Sequence, residues 1–486
     1  MYASSVRFAI VSSPAYLVAA AFLLGTLLAV AAARTSPVMG LIIGVGVLVT
    51  VAAFVFPDFA LLLTVAVIPL ERIGRLTPDS SEYTMSFMRI VGVIALGSFL
   101  LHAMLHKWKL KFGSAFLLYF LFCAWAITTV FFTSDQLGGV RAASAILGNL
   151  LFFFLIVNMV RNWRMARYAV AVWLIASVAI GIYTVYEWHA GSYRVAEQAR
   201  GLTSSRFLTV LKDKSEWADL SEVDRALGTS SSPAVYAINM ILTVPFLLYF
   251  FRSARGWLWK AAALLACLIV VYNVLLTNTR AATIVVAGVV VLCFLRKLVK
   301  VRPKAILAAA LFVLVLLLSS PGAVYKRVLD LANYTYSRSG TLQVRMEYWK
   351  AGAKIIEEHW LTGVGFGNQL VVPALANVEG PDHSTVHNEY LETMIETGIF
   401  GWLVFFGFVA YLLYMSFAGA GLVRRRDPER YWFLVACQIA MISVLVYAVQ
   451  VDVFHFPLKG WWLVAGLTWA AHEFNRKEVL QTAVAS

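Results

Sequence analysis

Charge is what this sequence has least of. Only 14% of its 486 residues are Asp, Glu, Lys or Arg, while 61% are hydrophobic. A water-soluble domain carries about a quarter charged residues and close to half apolar ones, so the chain is not an ordinary soluble globule. Cysteine is also scarce: Cys123, Cys267, Cys293 and Cys437 are the four, each inside an apolar run. No pair of them occupies a polar loop, which excludes a disulfide framework or a cysteine-built zinc site. They read as small core residues. Acidic residues are the third shortage, 26 against 40 basic ones, for a formal charge of +14. That surplus is not read as nucleic-acid binding, because the basic residues lie in short segments between apolar runs, where membrane topology puts them. The two halves show no repeat, and no segment is of low complexity.

What the chain has instead is a succession of apolar runs about 17–20 residues long, enough to cross a hydrocarbon core near 30 Å thick. Only helices can fill such runs, because lipid offers backbone groups no hydrogen-bond partner. The runs predict spans near 15–33, 38–56, 58–70, 85–105, 113–133, 142–160, 166–188, 233–251, 258–277, 281–295, 304–320, 398–417, 431–450 and 456–472. Some are short, so an all-α polytopic membrane protein of about 12–14 transmembrane helices is expected. Arg7 and the apolar stretch ending at Ala31-Ala32-Ala33 resemble a signal peptide. We read them as an uncleaved first helix, since the next span follows at once.

Basic loops alternate along the chain. Lys107, Lys109 and Lys111 share one; Arg161, Arg164 and Arg167 come two loops later. Arg252, Arg255 and Lys260 follow, then Arg296, Lys297, Lys300, Arg302 and Lys304, then Arg424, Arg425 and Arg426, and last Arg476 and Lys477. This alternation predicts that those loops and both termini are cytoplasmic. The expected organisation is N-terminal transmembrane helices over 1–188, a first large periplasmic loop over 189–232, helices over 233–320, a second large periplasmic loop over 321–397, and C-terminal helices over 398–486. Both loops are expected to contain short helices.

The outer loops hold the residues that could carry chemistry. Leu342, Met346, Trp349, Ala353 and Ile356 recur at steps of four and three, with Arg345, Lys350 and Lys354 off that face. This predicts an amphipathic helix along the membrane surface, with Trp349 and Trp360 at headgroup depth; a helix that merely covers the spans fits equally. Gly363-Val364-Gly365-Phe366-Gly367-Asn368 suits a tight turn with close backbone approach. As a phosphate loop it lacks a preceding strand and a lysine. Next comes Asp382-His383-Ser384-Thr385-Val386-His387-Asn388-Glu389-Tyr390-Leu391-Glu392, with Gly398 as a helix stop before the next span. His383 and His387 are four apart, but no His-Glu-x-x-His order and no third ligand support a metal site. A histidine above a membrane-embedded cleft better suits proton abstraction from a sugar hydroxyl, with a structural His387 as the alternative. Arg280, in Asn278-Thr279-Arg280, lies at the outer junction of two spans. A lipid diphosphate would present its charge there, and a guanidinium can grip phosphate oxygens in pairs. Arg225 and Arg345 are similar candidates, and snorkelling to lipid headgroups is the alternative.

These residues resemble the signature of the O-antigen ligase and O-antigen polymerase superfamily. The resemblance rests on Arg345 with Trp349, on Gly363-Val364-Gly365-Phe366-Gly367-Asn368, on His387-Asn388-Glu389-Tyr390-Leu391-Glu392, and on Glu396-Thr397-Gly398-Ile399-Phe400-Gly401. Asn278-Thr279-Arg280-Ala281 resembles an element that the family carries near a span end, although Ala281-Ala282 stands where a glycine often follows. The similarity runs over roughly 225–420. It implies a GT-C-like membrane glycosyltransferase of the bacterial inner membrane, with no cofactor and no metal. The donor would be a glycan on undecaprenyl diphosphate, transferred with inversion on the periplasmic face. The acceptor would be another glycan or lipid A core, and a polymerase would work with a chain-length co-polymerase. His387 would be the general base, and Arg280, Arg225 and Arg345 would bind the diphosphate. Gly363, Gly365, Gly367, Asn388 and Glu389 would shape the cleft.

The signature fits a polymerase of O-antigen or exopolysaccharide, a ligase that moves finished glycan to lipid A core, and transfer to protein. The full motif set and long polar loops favour the polymerase. A lipid-linked glycan flippase or transporter is the rival of another class, but it calls for repeats and intramembrane carboxylates that are not evident. A metal-dependent transferase would want acids clustered in an early outer loop. The loop near Arg34 has none, and Glu71, Asp79 and Glu82 form no tight pair.

Overall fold

The computed structural model describes residues 36–70, 87–190, 210–213, 223–230, 232–299, 341–367, 386–451 and 458–485. The spans expected at 15–33 and 304–320 lie outside the described residues, as do Glu71, Asp79, Glu82, His383 and much of both large loops.

Among the described residues six helices come first: α1 (Pro37–Val55), α2 (Pro57–Ala66), α3 (Phe87–Leu105), α4 (Ser114–Val130), α5 (Gln136–Met159) and α6 (Trp163–Ala190). An antiparallel hairpin, β1 (Val210–Asp213) and β2 (Val223–Ala226), follows. Then come α7 (Pro233–Ser253), α8 (Trp257–Leu276), α9 (Arg280–Leu295), α10 (Thr341–His359), α11 (Glu389–Val423), α12 (Pro428–Tyr447) and α13 (Lys459–Ala485). Seven of these, α3, α5, α6, α7, α8, α11 and α12, are long and apolar enough to cross a membrane. Shorter apolar helices α1, α2, α4 and α9 accompany them. The chain is a helical, multi-pass membrane protein. In the first large loop the described residues pair as strands, Val210 opposite Ala226 and Asp213 opposite Val223. Four-residue segments are too short to nucleate a helix, whereas an antiparallel ladder satisfies their backbone groups at once.

Polar residues just before the apolar runs set the helix starts. Asp135 accepts from Gly138 N at 2.8 Å to open α5, and Ser232 accepts from Val235 N at 3.2 Å to open α7. Asp427 accepts from Glu429 N and Arg430 N at 3.0 and 3.1 Å to open α12. Pro57, Pro233 and Pro428 take the first helical position, where a missing N–H costs nothing. The most enclosed span is α7, packed among α6, α8, α9 and α12. A second group, α4, α5, α11 and α13, meets through Tyr119, Phe405, Phe408 and Trp462, and α12 joins the two.

One end of the bundle gathers the basic loops. Arg161 lies 3.1 Å over the Trp108 ring, Arg252 lies 3.8 Å over Trp432 and donates to Lys297 O at 3.0 Å, and Arg167 pairs with Glu429 at 2.8 Å. Arg430 pairs with Glu478. Burial, with the charges of Lys477 and Arg161 nearby, holds the Lys111 ammonium below its ordinary value. Loops far apart in sequence thus share one end, as the alternation predicts. Helix α12 starts at that end and finishes at the other, where the candidate residues lie.

Candidate active site

Helix α11 does not run straight. At Gly398 its backbone takes φ +63° and ψ −170°, a left-handed combination open to glycine. Residues 390 and 406 would be about 24 Å apart in a straight helix. Here the Tyr390 and Phe406 rings stack at 4.9 Å, and Trp402 Nε1 donates to Tyr390 O at 3.1 Å. The segment 389–397 therefore folds back along 399–423. The expected helix stop at Gly398 is present, and it reverses the chain.

The reversal is fixed by the glycine-rich loop. Gly363 N donates to His359 O at 2.9 Å, Val364 N to Ile395 O at 2.8 Å, Gly365 N to Glu396 O at 3.1 Å, Phe366 N to Thr129 Oγ1 at 3.1 Å and Gly367 N to Glu396 Oε1 at 3.0 Å. Five successive amides are thus committed within the protein, which is the bonding of a packing turn and not of a phosphate cradle. A Cβ on Gly365 would fall 2.8 Å from the Thr133 backbone, and one on Gly367 would fall 2.7 Å from Gly138 O. The loop clasps the α4–α5 connection to the folded-back part of α11.

At the far end of that reversed segment stands His387, half-buried, with φ +51°. Its neighbours are anchored. Asn388 Oδ1 caps α11 by accepting from Tyr390 N and Leu391 N, and Glu389 N donates to Ala448 O at 2.9 Å. Val386 N donates to Glu392 Oε2, and Trp349 Nε1 donates to Val386 O, each at 3.1 Å. Glu389 is buried, accepts from Thr393 Oγ1 at 3.2 Å, and lines a small cavity with Tyr119, Phe122, Phe366 and Trp462. Helix α10 packs here through Tyr348 and Gly352 against Val386 and Ile395. Trp349 and Ile356 of the expected apolar face lie against this cluster, while Met346 and Ala353 are exposed. Gly352 permits the close packing, since Val386 comes within 3.1 Å of where a Cβ would be.

The arginines converge on the same end. Arg225, on β2, donates from Nε to Thr277 O and from Nη2 to Thr279 Oγ1, both at 3.3 Å. It thereby braces the turn whose next residue is Arg280. Arg280 opens α9 and is exposed, and Thr279 places no side-chain cap on that helix start. Asn278 takes φ +50° to make the turn, a conformation that asparagine tolerates better than most residues. Arg345 donates from Nη1 to Gln450 O at 3.1 Å and to Gln450 Oε1 at 3.4 Å. Tyr447, at the end of α12, donates from its hydroxyl to Ala234 O at 3.2 Å, at the start of α7 against which β2 packs. The end of α12, residues 447–450, is thus the hub: Arg345 and Glu389 bond to it and Arg225 lies close by. Arg280 enters through its turn. Tyr447, Gln450, Thr277 and Thr279 were not legible as partners, since uncharged residues at a span end carry no signal of their own. Among the described residues no three His, Cys, Asp or Glu side chains gather in a metal-binding set.

A family model described as O-antigen ligase matches residues 265–406. The matched stretch runs from within α8 into α11 and holds Arg280, Arg345, the glycine loop and His387-Asn388-Glu389; Arg225 lies outside it. A search of curated proteins gave no match.

Proposed function

We propose, from the match of residues 265–406 to a family model described as O-antigen ligase, that this chain transfers a glycan from undecaprenyl diphosphate to an acceptor hydroxyl. The reading carries with it the bacterial inner membrane, a periplasmic site and cytoplasmic termini. The observation that carries it is the convergence of Arg225, Arg280 and Arg345 with His387 on one end of the bundle. Arginines kept at a membrane boundary suit a diphosphate, and they keep their charge at any working pH. A half-buried histidine on the same end of the bundle suits the proton of an incoming hydroxyl.

In the proposed step the acceptor oxygen bonds to the anomeric carbon as the bond from that carbon to the diphosphate oxygen breaks, inverting the centre. The hydroxyl proton passes to His387, and the electron pair leaves with undecaprenyl diphosphate. Arg280 meets the charge that grows on the leaving group, an electrostatic role that is strongest away from bulk water. Arg225 holds the turn that presents Arg280. Arg345 is committed to Gln450 and shapes the site as much as it charges it. Gly363, Gly365 and Gly367 shape the cleft indirectly, by fixing the reversal that carries His387.

We favour the polymerase, on the fullness of the motif set, over a ligase acting on lipid A core or protein. The test incubates the purified protein with an undecaprenyl diphosphate-linked repeat unit, with and without chelator, and resolves products by size. A ladder that survives chelation and is absent with His387→Ala supports polymerisation through this site. A single addition to lipid A core, with no ladder, assigns the ligase. Unchanged product from a folded His387→Ala variant overturns the role of His387.

A further inference from the structure

We infer that Trp349 and Glu392 are positioning residues for His387, an inference that rests on the reading above. Two independent elements grip the residue before the histidine. The indole N–H of Trp349, on α10, donates to Val386 O at 3.1 Å, and the Glu392 carboxylate, one turn into α11, accepts from Val386 N at 3.1 Å. Val386 and Glu392 are almost fully buried, at 0% and 3% exposure, so neither bond is exchanged for water without loss. On the other side, Asn388 caps α11 and Glu389 N is tied to Ala448 O. His387 is the one link between two clamped residues, and it takes the left-handed φ of +51°.

A backbone so placed is unfavourable for a residue other than glycine and persists where its surroundings hold it. The clamp does more than stabilise a turn. It joins the surface helix α10 to the reversed segment of α11 at the point where the imidazole leaves the chain. Releasing Val386 on either side lets residue 387 relax toward the ordinary helical or extended region, which moves the imidazole from the place this backbone gives it. Misplacement of a reacting group by about 1 Å can cost on the order of 100-fold in rate. The donor site, built from other residues, is left intact, so kcat falls and KM for the donor does not rise.

Trp349→Phe keeps the packing and removes the N–H. Glu392→Leu removes the acceptor, while Glu392→Gln keeps an oxygen that can accept from Val386 N. Transfer from the lipid diphosphate-linked repeat unit would be measured for all three beside His387→Ala, with thermal unfolding of each. We expect Trp349→Phe and Glu392→Leu to lower kcat by about 10–100-fold, with donor KM within about threefold of wild type, and Glu392→Gln to restore most of the rate. Wild-type kcat in Trp349→Phe while His387→Ala is inactive overturns the clamp and leaves the proposed reaction standing. A raised KM at constant kcat also overturns it. Wild-type rate in His387→Ala shows instead that the underlying reading has failed, and the clamp falls with it. Should Glu392→Leu not fold, Trp349→Phe decides.

Discussion

An added Cβ on Gly398 would stand 2.4 Å from Leu361 O and 2.7 Å from Gly363 N, on a backbone with φ +63°. Gly398→Ala therefore meets both a collision and a conformation that costs an L-residue about 1–3 kcal/mol. We expect that loss or more in thermal unfolding, together with loss of transfer, because the reversed segment carries His387. Glycine's part was half legible. The spacing of Gly363, Gly365 and Gly367 announced a tight approach, and Gly398 announced a helix end. What they approach was not legible, because Thr133 and Gly138 are supplied by a connection more than 200 residues earlier. Arg225 shows the same limit: its charge marked it as a candidate, but only the folded hairpin reveals that it braces Thr277 and Thr279.

Below the turn that presents Arg280, Asn273 on α8 donates to Gly181 O on α6 at 3.1 Å, and Tyr236 on α7 donates to Asn273 Oδ1 at 2.8 Å. Thr277 N, four residues on, donates to Asn273 O at 3.2 Å. Asn273 is fully buried, so Asn273→Leu leaves the Tyr236 hydroxyl and the Gly181 carbonyl without these partners. The Tyr236 hydroxyl keeps Thr184 Oγ1 at 3.2 Å, so we expect a loss of about 0.5–1.5 kcal/mol for each hydrogen bond removed, read as a lower unfolding temperature, and weaker transfer as the turn loosens. Span positions were legible because hydropathy alone selects a helix in lipid. The fold-back of α11 was not, since a helix stop does not say which way the chain leaves it. The hairpin of the first large loop was missed for a related reason: short polar segments choose their structure by what they pair with.

The whole molecule is polarised, with basic loops joined at one end and the candidate residues at the other. Positive charge stays on the cytoplasmic side, so Arg425→Cys is expected to react with a membrane-impermeant maleimide only after permeabilisation, and Trp360→Cys without it. All four native cysteines are buried, which keeps the background low; reversed labelling would refute the orientation. This polarity was legible from loop composition, whereas the meeting of Arg225, Arg280, Arg345 and His387 depends on α12 ending among them. In the proposed reaction the arginines hold a lipid diphosphate while His387 acts on the acceptor. This division of roles is tested most directly by measuring donor binding and transfer together, in nanodiscs, for wild type, His387→Ala and Arg280→Gln. The account predicts that His387→Ala binds an undecaprenyl diphosphate-linked glycan as wild type does yet transfers nothing. Arg280→Gln should bind about 10–100-fold more weakly, the worth of about 1.5–3 kcal/mol for a charge-assisted contact. Wild-type donor affinity in Arg280→Gln, or transfer by His387→Ala, would contradict it.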